Sequence, residues 1–186
     1  MSMKRNRGMS KGSQAGFTLM EAAVAVLIMT LGVTAVAALF VQGFGLMGTS
    51  QDDLIARLKA EEAIESVFAG RDDQSLTWSQ ILNVKGASGS DGGIFLDGAL
   101  PINDPGADGL VNTADDGGLE YIVKPGPDGQ YGTGDDEQVP LVKFKREIRI
   151  RPIPGNANLR SITVIITSSA TGAVVYQIQT YISSFV

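Results

Sequence analysis

Carboxylates carry most of the chemistry this chain could perform. Residues 105–116 read PGADGLVNTADD and residues 125–136 read PGPDGQYGTGDD. At an offset of twenty residues both fit P-G-x-D-G-x-x-x-T-x-D-D, with seven matches in twelve. Asp108, Asp115 and Asp116 in the first copy, and Asp128, Asp135 and Asp136 in the second, offer oxygen ligands on loops that glycine lets fold tightly. Hard cations take six to eight such oxygens, so calcium, one or two ions, is what this composition suggests. The spacing is not that of an EF-hand, and two copies fall short of a solenoid. The same residues also read simply as two polar loops or hairpin tips, because Gly, Asp and Pro are turn formers.

Other chemistries are closed off. The sequence holds neither cysteine nor histidine, which removes disulfides, thiolate metal sites, cysteine nucleophiles and histidine bases together. Neither serine nor lysine sits in a nucleophile motif, so no catalytic constellation is visible. From Asp91 to Glu137 eleven acids face one base, Lys124, and such a stretch would repel the phosphates of a nucleic acid.

One further acid stands apart. No residue between Ala22 and Gln51 carries charge, yet Glu21 lies just inside the leading end of that apolar run. A carboxylate at membrane depth costs roughly 2.5–3.5 kcal/mol on insertion scales and is a functional residue by default. About twenty apolar residues span the hydrocarbon core, so residues 17–40 suffice to cross it. Lys4, Arg5, Arg7 and Lys11 precede them with no acid among residues 1–16, which by the positive-inside rule keeps that end cytoplasmic and exports the rest. A plain signal anchor fits. So does a secretory signal peptide cleaved after Ala35-Val36-Ala37, leaving Ala38 at the new terminus.

The boundary itself, GFTLMEAAVAVLIMTLGV from Gly16, closely resembles the processing signal of type IV pilins and of the pseudopilins of type II secretion. The resemblance implies cleavage by a prepilin peptidase between Gly16 and Phe17, on the cytoplasmic side and ahead of the helix. It implies N-methylation of Phe17, and a role for Glu21 in assembly as the fifth residue of the mature chain. Met20 stands where the family often has isoleucine or valine. Glu21 would lie at i+4 from the new ammonium, on the same helical face, and pairing with it or with a neighbouring subunit's removes the isolated charge. The acidic loops likewise look like short Asp/Gly calcium repeats of exported bacterial proteins.

The positioning elements follow from periodicity. After the apolar run, Gly43, Gly45 and Gly48 predict a soft point in the helix. Then QDDLIARLKAEEAIESVFAG resumes helical patterning, with Leu54, Leu58, Ile64 and Phe68 near one stripe, Ile55 and Val67 on its flanks, Arg57–Glu61 as an exposed i,i+4 pair, and Gly70 as a stop. Residues 71–83 predict a short helix around Trp78, and residues 94–96 a brief strand. Glu120 to Lys124 reads as a short strand between the loop copies. Strict alternation over residues 142–151 puts Val142, Phe144, Ile148 and Ile150 on one face and Lys143, Lys145, Glu147, Arg149 and Arg151 on the other. That basic row reads as a solvated strand face, with an acid-binding stripe or the acidic loop of a neighbouring subunit as the alternatives. Turns at residues 154–158 and 169–172 then lead to two more strands, the last with Val174, Tyr176, Ile178 and Ile182 on one side.

These elements predict an α+β, pilin-like fold: a basic leader (1–16), a long helix (17–69, transmembrane over 17–40) and a head (70–186) with acidic loops at 104–137 and an antiparallel sheet at 139–186. The function expected is structural, a minor pilin processed by prepilin peptidase and built into a type IV pilus. Its expected partners are other pilin or pseudopilin subunits and the inner-membrane assembly platform, with the head in the periplasm before export to a pilus or pseudopilus. The alternatives are a minor pseudopilin of a type II secretion system, and a membrane-anchored periplasmic enzyme or calcium-binding module.

Overall fold

A computed structural model describes residues 18–185, so Gly16 and Phe17 lie outside the described residues. The chain is α+β. One 54-residue helix, α1 (Leu19–Asp72), is followed by a 3-10 turn (Trp78–Gln80) and six strands: β1 (Leu100–Pro101), β2 (Tyr121–Lys124), β3 (Glu137–Pro140), β4 (Phe144–Ile153), β5 (Asn156–Ser168) and β6 (Val174–Ser183). Two units divide between Gly48 and Thr49, directly after the three glycines. The helix is continuous through them, so the expected break does not occur in its backbone.

In the first unit the helix is uncharged beyond Glu21 and its side chains are exposed, as at Leu27 (60%), Leu31 (65%) and Phe40 (63%). It is long and apolar enough to cross a membrane by length and composition.

In the second unit four strands form a sheet of order β1-β4-β5-β6, and β2 and β3 form a separate hairpin. The β4-β5-β6 meander is antiparallel throughout, with Ile148 opposite Val164 and Val164 opposite Ile178. Alternation places Phe144, Ile148, Ile150, Ile162, Val164 and Ile166 in the core. Val142 precedes the strand and is exposed (57%). A register shift beside Ile166 and Thr167 leaves Val174 exposed (59%) rather than on the inner face. Only two residues turn the chain between β4 and β5, a tighter connection than the five expected.

The helix meets this core through its small residues. Ala56, Ala60, Ala63 and Val67 are fully buried, whereas Leu54 (57%) and Leu58 (53%) face outward. At 100° per residue those four lie on one narrow stripe and the leucines on the opposite side. The expected stripe is therefore rotated: the alanines take the buried side, and Ile55, Ile64 and Phe68 pack at its margins. Arg57 and Glu61 pair at 2.9 Å on the exposed side as expected. Gly70 is buried inside the helix rather than ending it; the chain leaves the helix through Gln74, at φ +61°. Residues 94–96 form no strand, only a single bridge from Phe95 to Asn83.

Candidate functional site

The two loop copies share one internal construction. In the first, Asp108 Oδ1 accepts the Leu110 amide at 2.8 Å, Asp116 Oδ2 accepts the Asn112 amide at 2.9 Å and Asp115 Oδ1 accepts the Thr113 hydroxyl at 2.8 Å. In the second, Asp128 Oδ1 accepts the Gln130 amide at 2.8 Å, Asp136 Oδ2 accepts the Gly132 amide at 2.6 Å and Asp135 Oδ1 accepts the Thr133 hydroxyl at 2.7 Å. Conserving P-G-x-D-G-x-x-x-T-x-D-D thus conserves a set of side-chain-to-backbone closures. The threonine hydroxyls hold the Asp115 and Asp135 carboxyls below their usual 3.8, assisted by the amides of Asp108 and Asp128. With depressed values, the closure is complete above the ordinary carboxylate range and is lost only as pH falls through the lowered ones.

A cation would need several of these oxygens to converge. Among the described residues no group of three or more acidic side chains is placed to hold a metal ion. In this conformation the six aspartates do not form a calcium cage; each turns an oxygen toward the loop's own amides, Asp115 and Asp135 also accept threonine hydroxyls, and Asp136 Oδ1 is buried without a partner.

Where the copies differ is in what they face. Leu110, Val111, Asn112 and Thr113 are buried (3%, 1%, 1% and 3%). Their counterparts Gln130, Tyr131 and Gly132 are exposed, Tyr131 at 70%. The first loop is wrapped onto the core. The second forms the tip of the β2–β3 hairpin, an arm whose base is held by Ile122 and by the Leu141 amide donating to the Glu120 carbonyl at 2.9 Å.

Both loops need their first glycine. A Cβ at Gly106 would lie 2.3 Å from Asp115 Oδ2, and one at Gly126 the same 2.3 Å from Asp135 Oδ2. Gly106→Ala is expected to cost about 1–3 kcal/mol, the range for forcing atoms into a packed site. Gly126→Ala meets the same obstruction, with the Asp135 backbone oxygen at 2.4 Å, but in a loop that buries no core residue, and should cost less than Gly106→Ala. Denaturant midpoints of the two variants, measured side by side, check this.

The first loop is tied in by an arginine that the alternation pattern places indoors. Arg146 lies on the inner face of β4 and is fully buried. Its Nε donates to Asn112 Oδ1 at 2.7 Å, its carbonyl accepts Asn112 Nδ2 at 3.1 Å, and Nη1 reaches Glu62 Oε1 at 3.4 Å. Asn112 adopts φ +60° to present both ends of its amide. Lys59 donates to Glu62 and to Glu120. Burial is the largest influence on both cations: it lowers the Arg146 pKa, while for Lys59 the two carboxylates together outweigh it and raise the value. Alternation alone gives no role to Arg146 or Asn112; position 146 in an otherwise apolar even-numbered row is the signal the sequence holds.

At the other end of the chain, Glu21 is exposed and its amide donates to Thr18 Oγ1 at 3.3 Å. Thr18-Leu19-Met20-Glu21 has the T-x-x-E spacing of a capping box, with Thr18 at the N-cap and Glu21 at N3. Glu21 therefore has a local role at the helix start, complementing the dipole. The basic row occupies the outward face of β4: Arg149 pairs with Glu147 at 2.6 and 2.9 Å, and Arg151 donates to Asn83 Oδ1 at 2.7 Å. No protein-family profile, curated protein or solved structure matches the chain.

Proposed function

We propose that this chain is a filament subunit of the type IV pilin-like kind, a minor pilin that is cleaved between Gly16 and Phe17 and assembles through α1. The observation that carries the reading is the division of α1. Its first part is apolar and exposed on all sides, while its second buries one alanine stripe and leaves Leu54 and Leu58 outward. Residues 19–46 would extend about 42 Å at 1.5 Å per residue, more than the ~30 Å of a hydrocarbon core. Nothing lies within 4 Å of a Cβ built at Gly32, leaving room for a second helix to approach closely. The processing motif supplies the remaining support. A minor pseudopilin of a type II secretion system has the same leader and helix and differs in its companion genes.

The deciding measurement is the N-terminal residue and intact mass of protein recovered from membranes. N-methylated Phe17 is the expected result. Ala38 would mean ordinary secretion, and a retained Met1 a plain anchor. Glu21→Ala is expected to be cleaved normally but to enter filaments roughly tenfold less well, the equivalent of about 1.4 kcal/mol of lost pairing with the Phe17 ammonium. Incorporation at parental efficiency would remove Glu21 from assembly and leave it as a capping residue.

A non-catalytic role accords with a sequence lacking both histidine and cysteine. Calcium remains a proposal resting on the composition of the loops alone. A thermal midpoint that rises in millimolar calcium and falls with chelator would support it, and an indifferent midpoint would end it.

A further inference from the structure

We propose that the β2–β3 arm of one subunit docks on the outward face of β4 in a second copy of this chain. This deepens the filament reading and rests on it for the direction of assembly. The repeat holds one loop that is part of the core and one that is not. The two keep the same closures and diverge at the positions that decide burial: Leu110, Val111 and Asn112 against Gln130, Tyr131 and Gly132. An aromatic ring with a polar end, 70% exposed at the tip of a preorganised loop, is the residue type enriched in interfaces.

Charge selects the other side. The arm carries Asp128, Asp135, Asp136 and Glu137 against Lys124, and none of the ion pairs among the described residues involves these acids. On the outward face of β4, Arg149 is matched by Glu147 and Arg151 turns Nη1 back to Asn83 Oδ1 and the Ile150 carbonyl, whereas Lys145 is in none of the ion pairs among the described residues. The face continues onto β5 through Thr163, which lies opposite Arg149, and the buried Ile165 opposite Glu147. The surplus acids of the arm thus complement the unmatched charge of Lys145 and the net positive charge of the strand face. Loop-to-strand docking is heterologous, since each copy offers a different surface to each neighbour, and a non-closing heterologous contact propagates as a filament.

The absence of cysteine makes the test clean. Two differently tagged full-length copies are co-expressed in the native host, one with Tyr131→Cys and the other with Thr163→Cys, and membranes are oxidised with diamide in the presence of a chelator. The mixed disulfide is expected to exceed the Tyr131→Cys self-adduct severalfold and to fall as ionic strength rises. Adding Lys145→Glu to the second copy should reduce it roughly fivefold or more, like charges across an interface being unfavourable. Lys145→Gln, which adds no repulsion, should give an intermediate loss. A dominant Tyr131→Cys self-adduct would mean a symmetric contact and overturn the proposal. So would the lack of a mixed disulfide in protein that begins at Phe17 and is recovered in filaments, a result that leaves the filament reading standing. A mixed disulfide in protein not processed at Phe17 would support the docking and sink the filament reading.

Discussion

Arg146→Ala is expected to destabilise the protein by about 2–4 kcal/mol, from the cavity left by a fully buried side chain and the buried Asn112 oxygen left unpaired, with the one-third-exposed Glu62 adding little. The arginine joins three elements that have no other reason to meet at that point. Glu62 comes from α1, Asn112 from the first acidic loop and the arginine itself from β4. Truncation would strand the Asn112 carboxamide oxygen in a fully buried position and leave Glu62 and Glu120 balanced by Lys59 alone. Arg146→Met should cost distinctly less than alanine, because it fills the space and avoids part of the cavity. The group is not perfectly satisfied as it stands: Arg146 Nη2 is buried without a partner, and an apolar replacement removes that penalty. Denaturant midpoints of the full-length protein in detergent would read both variants. A loss below about 1 kcal/mol for alanine would show that the cluster is incidental to the fold.

That cluster also marks where the sequence could be read and where it could not. Alternation over residues 144–150 is strict, and Phe144, Ile148 and Ile150 are buried as it requires. The same alternation puts position 146 indoors, but a guanidinium is an improbable core residue until its partners are known, and those lie 84 and 34 residues away. Helical periodicity announced the second half of α1 yet gave it the wrong face. Weighting positions by side-chain size favours Leu54 and Leu58; the buried side is instead that of Ala56, Ala60 and Ala63, small residues that a weighting by apolar bulk passes over.

The repeat was legible as a repeat. That one copy is core and the other an arm was written in Leu110-Val111 against Gln130-Tyr131, a difference that composition alone masks. At the helix start, Thr18 and Glu21 carry a capping signal that the apolar run beside them obscures.

Asn83→Ala is the other substitution expected to be severe, at about 2–4 kcal/mol, since it orphans several buried backbone groups that each cost roughly 1–3 kcal/mol when left unpaired. β1 covers β4 only at Lys145 and Arg146, so the next stretch of that edge would be open. Asn83 closes it with a side chain. Its Nδ2 donates to the Ile148 carbonyl at 2.8 Å and its Oδ1 accepts the Ile150 amide at 2.7 Å, the pair of bonds a neighbouring strand would make. The same amide also donates to the Phe95 and Leu96 carbonyls, both at 3.3 Å, which holds the irregular segment 83–96 against the sheet. Asn83→Asp removes the donor half: the carboxylate still accepts from Ile150 and from Arg151 but presents oxygen to three carbonyls, and should also destabilise the protein. Hydrogen exchange at the Ile150 amide is the specific readout. It should become fast in Asn83→Ala and stay slow in Arg146→Met, because only the first opens the edge. An unprotected strand edge also invites pairing with other chains, so Asn83→Ala should aggregate at protein concentrations where the parent does not. If Ile150 stayed protected, a local shift of the 83–96 segment would have supplied another partner, and the carboxamide would not be what closes that edge.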